Sequence, residues 1–153
     1  KESGGDLVYL RYDNSRTDCA KCLFGYDEIV EGVTKDVILV EGIFDKIKTD
    51  DNLFLDDSDD FKCCATFGAK LSDTQIELLK NKGVENIWLW FESDVLRTVK
   101  DVAARASLHF NVKVCYISGD DPGDWGVDEA ASAITNSKDW VDFYYGYVKS
   151  KLK

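Results

Sequence analysis

The sequence contains no methionine, one proline (Pro122) and one histidine (His109). With no initiator methionine, the chain reads as an excised piece of a longer protein. No apolar run approaches the roughly 20 residues of a membrane span. Nor does a signal peptide open the chain, because Lys1 begins a polar, glycine-containing stretch. Positive charge is in deficit: 19 Lys and Arg stand against 29 Asp and Glu, a net charge of −10. That excludes an autonomous DNA clamp working through a broad basic surface, which needs clustered Lys and Arg. It leaves open an acidic metal site acting on phosphates, where the metal supplies the positive charge. There is no phosphate-binding P-loop, no GxSxG elbow and no Cys–His nucleophile pair. His109 lies near a helix end and reads as a C-terminal charge partner rather than a catalytic base.

What is present suffices for one domain: 153 residues, 44% hydrophobic and 12% aromatic, enough to build a core. Five cysteines, an odd count with Cys63 and Cys64 adjacent, do not make a disulfide framework. Cys19-x-x-Cys22 with Cys63 and Cys64 raises a four-thiolate zinc site. Adjacent cysteines reach one tetrahedral ion poorly, so the reading taken is reduced thiols, with Cys63, Cys64 and Cys115 as small hydrophobes.

From about residue 35 the chain alternates strand-like and helix-like pieces. Val37–Val40 is an aliphatic run suited to a strand buried on both faces, and Ile43–Thr49 a short helix. Lys62–Thr66 predicts a second strand. Ser72 and Gln75 form a capping box opening a helix that runs to Lys82 and stops at Gly83. Asn86–Phe91 is a third strand, about 95–110 a helix, Val112–Ile117 a fourth strand and Asp128–Ile134 a last short helix. The pattern predicts an α/β fold with about four strands, mainly parallel, flanked by helices. At the flanks, Asp6–Tyr12 reads as a strand of an upstream element and 13–17 as a polar loop. Residues 138–152 carry Trp140, Val141, Tyr144, Tyr147 and Val148 at helical spacing, a stripe suited to packing on the sheet.

Ligands of such sheets gather outside the carboxyl ends of the strands. Those ends are acidic: Glu41-Gly42-Ile43-Phe44-Asp45 after the first strand, Glu92-Ser93-Asp94 after the third, Asp120-Asp121-Pro122-Gly123-Asp124 after the fourth. Crowded carboxylates repel unless a hard cation neutralises them, and oxygen donors select Mg²⁺ or Mn²⁺. Each acid also has an ordinary structural role open to it. Asp45 suits the start of a helix, and Asp121 and Asp124 suit a Pro-Gly turn. The acids at 50–51, 56–57 and 59–60 read as a solvated loop.

Glu41-Gly-x-x-Asp45, with an acid-x-Asp at a later strand end, resembles the Toprim domain of primases, topoisomerases, certain nucleases and recombination proteins. Within that family the chain is most similar to bacterial and phage-type DNA primases. Lys21–Glu28, Ala65–Ser72 and Gly119–Asp124 resemble primase segments, in order, and the likeness covers about 20–135. The resemblance implies a Toprim (Rossmann-like) fold at 34–136, a leader at 1–33 that is a remnant of an upstream primase subdomain, and a C-terminal helix at 137–153. It implies Glu41 as metal ligand or general acid/base, Glu92 and Asp94 as the pair holding Mg²⁺ or Mn²⁺, and Asp45 and Asp121 as supporting acids. Gly42 allows close backbone approach, and Asp124 is a further supporting acid.

The implied function is primer synthesis in DNA replication: a nucleotide 3′-hydroxyl attacks an incoming nucleoside triphosphate on a single-stranded DNA template. The implied setting is a phage or mobile-element protein in the host cytoplasm, working beside a replicative helicase, without a membrane. Two positions depart from the primase pattern: Glu92 stands where the first acid is usually Asp, and Val95-Leu96-Arg97 replaces a small-residue pair. A Toprim nuclease using water as nucleophile, and a non-catalytic module for assembly or nucleic-acid docking, are the alternatives. A topoisomerase would need a nucleophilic tyrosine from another domain.

Overall fold

The computed structural model describes residues 18–91, 96–115 and 125–152. Their elements are β1 (Asp36–Val40), α1 (Ile43–Leu53), β2 (Phe61–Ala65), α2 (Asp73–Lys82), β3 (Asn86–Leu89), α3 (Leu96–Ala106), β4 (Asn111–Val114), α4 (Val127–Thr135), β5 (Lys138–Asp139) and α5 (Trp140–Lys151). The sheet order is β2-β1-β3-β4-β5. β1 to β4 run parallel, and β5 pairs antiparallel with β4 through Lys113–Asp139 and Val114–Lys138. The expectation of about four mainly parallel strands is therefore met by the parallel set and corrected by a fifth. Two exposed polar residues give β5 no periodic signal; pairing with β4 alone defines it.

Alternation along each strand divides the interior in two, because successive side chains point to opposite faces. Val37 and Leu39, Cys64, Ile87 and Leu89, and Val112 and Val114 face one layer with Ile76 and Leu79 of α2 and Val99, Val102 and Ala106 of α3. Ile38 and Val40, Cys63 and Ala65, and Trp88 and Trp90 face the other, with Ala130 and Ala133 of α4. Burial on both faces is why β1 and β3 read as continuous apolar runs, whereas β4 alternates, with Val112 and Val114 buried and Asn111 exposed. Cys63 and Cys64 thus lie in different layers, so one metal ion cannot take both thiolates. Both are buried and free, and burial pushes the Cys64 thiol up to about 12.

The capping box at Ser72 forms as expected. The Gln75 N–H donates to Ser72 Oγ at 3.0 Å, and the Ser72 N–H donates to Gln75 Oε1 at 2.9 Å. Gly83 ends α2 with φ +84°. Leader residues 18–33 join the same body: Leu23 and Ile29 are buried in the first layer, and Phe24 bridges Ala65 on the outer edge of β2. α5 sends Trp140 and Phe143 toward that layer and Lys100 stacks over Tyr144, but Val141 and Tyr145 stay exposed. The aromatic stripe is therefore split, with Phe143 rather than Val141 turned inward. The expected elements at 6–12 and 13–17 and the end of the fourth strand lie outside the described residues.

Helix α1 corrects the expectation most. It runs to Leu53, and its buried residues are polar: Lys46, Thr49, Asp50 and Asn52. Asp50, expected in a solvated loop, is 6% exposed. Phe44, Ile47 and, just past the helix, Phe54 face outward instead. The Asn52 amide donates to the Trp125 carbonyl at 2.7 Å, fixing α1 against the segment that enters α4. No helix among the described residues is long and apolar enough to cross a membrane.

Candidate metal centre at the carboxyl edge of the sheet

β1 leads through α1 to β2 on one side, and α2 then carries the chain back past β1 to β3. The winding direction reverses between β1 and β3, the place where open α/β sheets hold ligands beyond their carboxyl ends. The ladder continues past β3, since the Trp90 N–H donates to the Leu39 carbonyl at 2.9 Å. Two residues beyond the Leu39–Leu89 pair stand Glu41 on one strand and Phe91 on the other. Glu41 is half-buried at this crevice. Its carbonyl accepts the Gly68 N–H at 3.0 Å, which folds the Thr66–Gly68 turn onto the end of β1.

Asp45 stands in the first turn of α1, and its Oδ2 accepts the Gly42 N–H at 2.9 Å. That bond caps the helix and favours a negative charge at its N-terminus. A Cβ at Gly42 would come within 2.8 Å of the same Asp45 oxygen, so a larger residue there would make the Asp45 side chain shift and loosen this cap. Glu41, Gly42 and Asp45 are brought together at one edge. Glu92, Asp94, Asp121 and Asp124 lie outside the described residues; Glu92 follows Phe91 directly in the chain.

A second group of acids went unanticipated. Carboxylate oxygens of Glu28, Asp50 and Asp56 lie within 4.8 Å of one another. Between them sits Lys46, 4% exposed, whose Nζ donates to both Glu28 oxygens at 2.6 Å and pairs with Asp50 Oδ2 at 2.5 Å. Burial works to lower the Lys46 pKa, but the bonds to Asp50 and Glu28 outweigh it and hold the ammonium well above the usual lysine range. Burial pushes the Asp50 carboxyl up to about 6, against the hydrogen bond and charge of Lys46, which lower it. Its Oδ1 has no hydrogen-bond partner among the described residues. The group already holds its cation: an ammonium between the carboxylates repels a divalent ion from them. The i, i+4 spacing of Lys46 and Asp50 was the one trace of it in the sequence.

The donors at the carboxyl edge are carboxylate oxygens, which suit Mg²⁺ or Mn²⁺. Glu41 and Asp45 carry donors of this kind, one oxygen of Asp45 being held by the Gly42 N–H. No protein-family model matches the chain, and no curated protein matches it.

Proposed function

We propose that the chain is a Toprim-type catalytic domain of a DNA primase, building RNA primers from nucleoside triphosphates on single-stranded DNA. The observation that carries the reading is the coincidence of Glu41-Gly-x-x-Asp45 with the β1/β3 switch point of a mainly parallel sheet. Further support comes from two primase-like segments whose glycines take positive φ, Gly25 at +90° and Gly68 at +128°. A side chain at Gly25 would meet the Cys63 carbonyl and Lys46 Cε at 2.8 Å, so the segment has a steric reason for its glycine.

Glu41, Glu92 and Asp94 are the residues that would hold Mg²⁺ or Mn²⁺, with Asp121 and Asp124 in support. The ion's chemistry at such a site is to neutralise charge on the attacking and leaving oxygens. Asp45 fixes the Gly42 turn and so the direction in which Glu41 leaves β1. Thr66 and Gly68 brace the same turn from the β2 side, through bonds to the Val40 and Glu41 carbonyls. At a net charge of −10, template must be gripped by a basic partner domain.

A polypeptide joining this chain to a basic template-binding domain should make short RNA on single-stranded DNA. Glu41→Gln should abolish synthesis and leave template binding unchanged. The 153-residue chain alone should neither extend nor cut DNA in Mn²⁺. Metal-dependent cleavage by the chain alone, with no synthesis by the joined protein, would transfer the assignment to a Toprim nuclease.

A further inference from the structure

Helix α5 carries two apolar faces. Trp140 and Phe143 turn toward the first layer, and the Tyr144 ring lies under the Lys100 ammonium, 4.9 Å from its centre. About a third of a turn away runs a second stripe. Its Val141, Tyr145 and Leu152 are 58%, 69% and 83% exposed, and Val148 is half-buried among them. These residues follow one another in steps of four, three and four, so their side chains fall within about 60° around the helix axis. A single exposed apolar residue is ordinary; a continuous line of them marks a surface for another chain.

Three features select the occupant. Alternating steps of four and three interlock with the side chains of a second helix lying nearly along the first, a period that a strand does not share. The stripe is also its own match when reversed. A half-turn about an axis beside the junction of Gly146 and Tyr147 exchanges Val141 with Leu152 and Tyr145 with Val148, so apolar meets apolar throughout. The charges obey the same exchange. Asp142 and Lys149 border the stripe on the side away from Tyr144, both are exposed, and neither enters an ion pair among the described residues. In an antiparallel pair of helices, Asp142 of one copy comes beside Lys149 of the other, twice over. A parallel pair would instead set Lys149 toward Tyr144, which Lys100 already covers.

We propose that α5 is a homodimer interface, in which two copies of the chain pack their α5 helices antiparallel through Val141, Tyr145, Val148 and Leu152. Asp142 of each copy then pairs with Lys149 of the other. The seam is about three helical turns long, at the small end of specific interfaces, so the dimer is weak and reversible. It uses none of the acids of the carboxyl edge and stands apart from the primase reading.

Sedimentation velocity of the 153-residue chain tests this, from about 10 µM to about 1 mM protein. Salt at about 0.15 M screens the repulsion between two chains of net charge −10, and a reducing buffer keeps Cys19 and Cys22 from cross-linking. A monomer passing reversibly to a dimer is expected. Tyr145→Glu, which sets a carboxylate in the middle of the seam, should weaken the dimer at least about tenfold. Asp142→Lys and Lys149→Asp should each do the same, because each places like charges opposite one another. Mixed in equal amounts, these two variants should form a heterodimer as tight as the natural dimer, since both pairs are then restored in reverse. That recovery separates a lost interface from a lost fold, and unchanged melting curves check the fold of Tyr145→Glu. A chain still monomeric at the highest concentration, a dimer indifferent to Tyr145→Glu, or a mixture of the charge variants that stays monomeric overturns the proposal.

Discussion

Lys46 is tolerated in the interior because two carboxylates meet its ammonium and the aromatic face of Phe24 lies 5.9 Å from it. Removing one partner of such a pair is costlier than never having had it, since the survivor is left charged and dry. Lys46→Met should therefore destabilise the protein by about 3 kcal/mol at pH 7. The companion Lys46→Met/Asp50→Leu should recover most of that loss, because an apolar pair leaves only half-exposed Glu28, which water can solvate. The pH dependence has a definite sign. Asp50 has a folded pKa of about 6 against an ordinary 3.8, so the native state holds the proton more tightly than the unfolded chain. Its contribution is greatest below the ordinary value and falls as pH rises through that window. The Lys46→Met penalty should shrink on acidification toward pH 4, as Asp50 becomes neutral. Urea melts of both variants at several pH values check this; equal losses for the single and double variants would contradict it.

At the scale of elements, the tie between the leader and the sheet runs through the first turn of α2. Ser72 and Gln75 share one capping box, and both reach the leader: the Ser72 hydroxyl donates to the Ala20 carbonyl, and Gln75 Nε2 donates to the Cys19 and Cys22 carbonyls and to that of Thr66. Ser72→Ala should cost about 1–2 kcal/mol, an N-cap together with the bond to the exposed Ala20 carbonyl. Gln75→Ala should cost about 2–3 kcal/mol, because it also strands buried acceptors. Hydrogen exchange should then speed up in the leader for both variants, and more for Gln75→Ala, which loses two leader bonds against one; a leader unchanged in both would reject the tie.

These elements also show what the sequence could reveal. β1, β2 and β3 were legible because burial on both faces favours apolar runs, β4 because Val112 and Val114 alternate with polar residues, and α2 because its cap and its Gly83 stop are local chemistry. The second half of α1 was not legible. Asp50-Asp51-Asn52 reads as loop until Lys46 and the Trp125 carbonyl, distant in sequence or hidden by spacing, supply the partners that bury it. β5 was invisible for a similar reason, since two polar residues become a strand only by meeting β4. At the carboxyl edge, the place of Glu41, Gly42 and Asp45 just beyond β1 was legible, because a strand end followed by glycine and acids is a local pattern.

For the whole molecule, the 29 acids behind the net charge of −10 include Glu41 and Asp45, which stand just beyond β1, where the sheet order reverses between β1 and β3. Two groups of acids compete to explain a bound cation: the carboxyl edge around Glu41, and the Glu28–Asp50–Asp56 group filled by Lys46. Mn²⁺ should bind at the first and not at the second. Electron paramagnetic resonance of Mn²⁺ titrated into the 153-residue chain separates them directly. The account predicts saturable Mn²⁺ binding that weakens at least about tenfold in Glu41→Gln, roughly 1.4 kcal/mol, and is unchanged in Asp50→Asn. Binding that survives Glu41→Gln and disappears in Asp50→Asn would put the ion beside Lys46 and contradict the account.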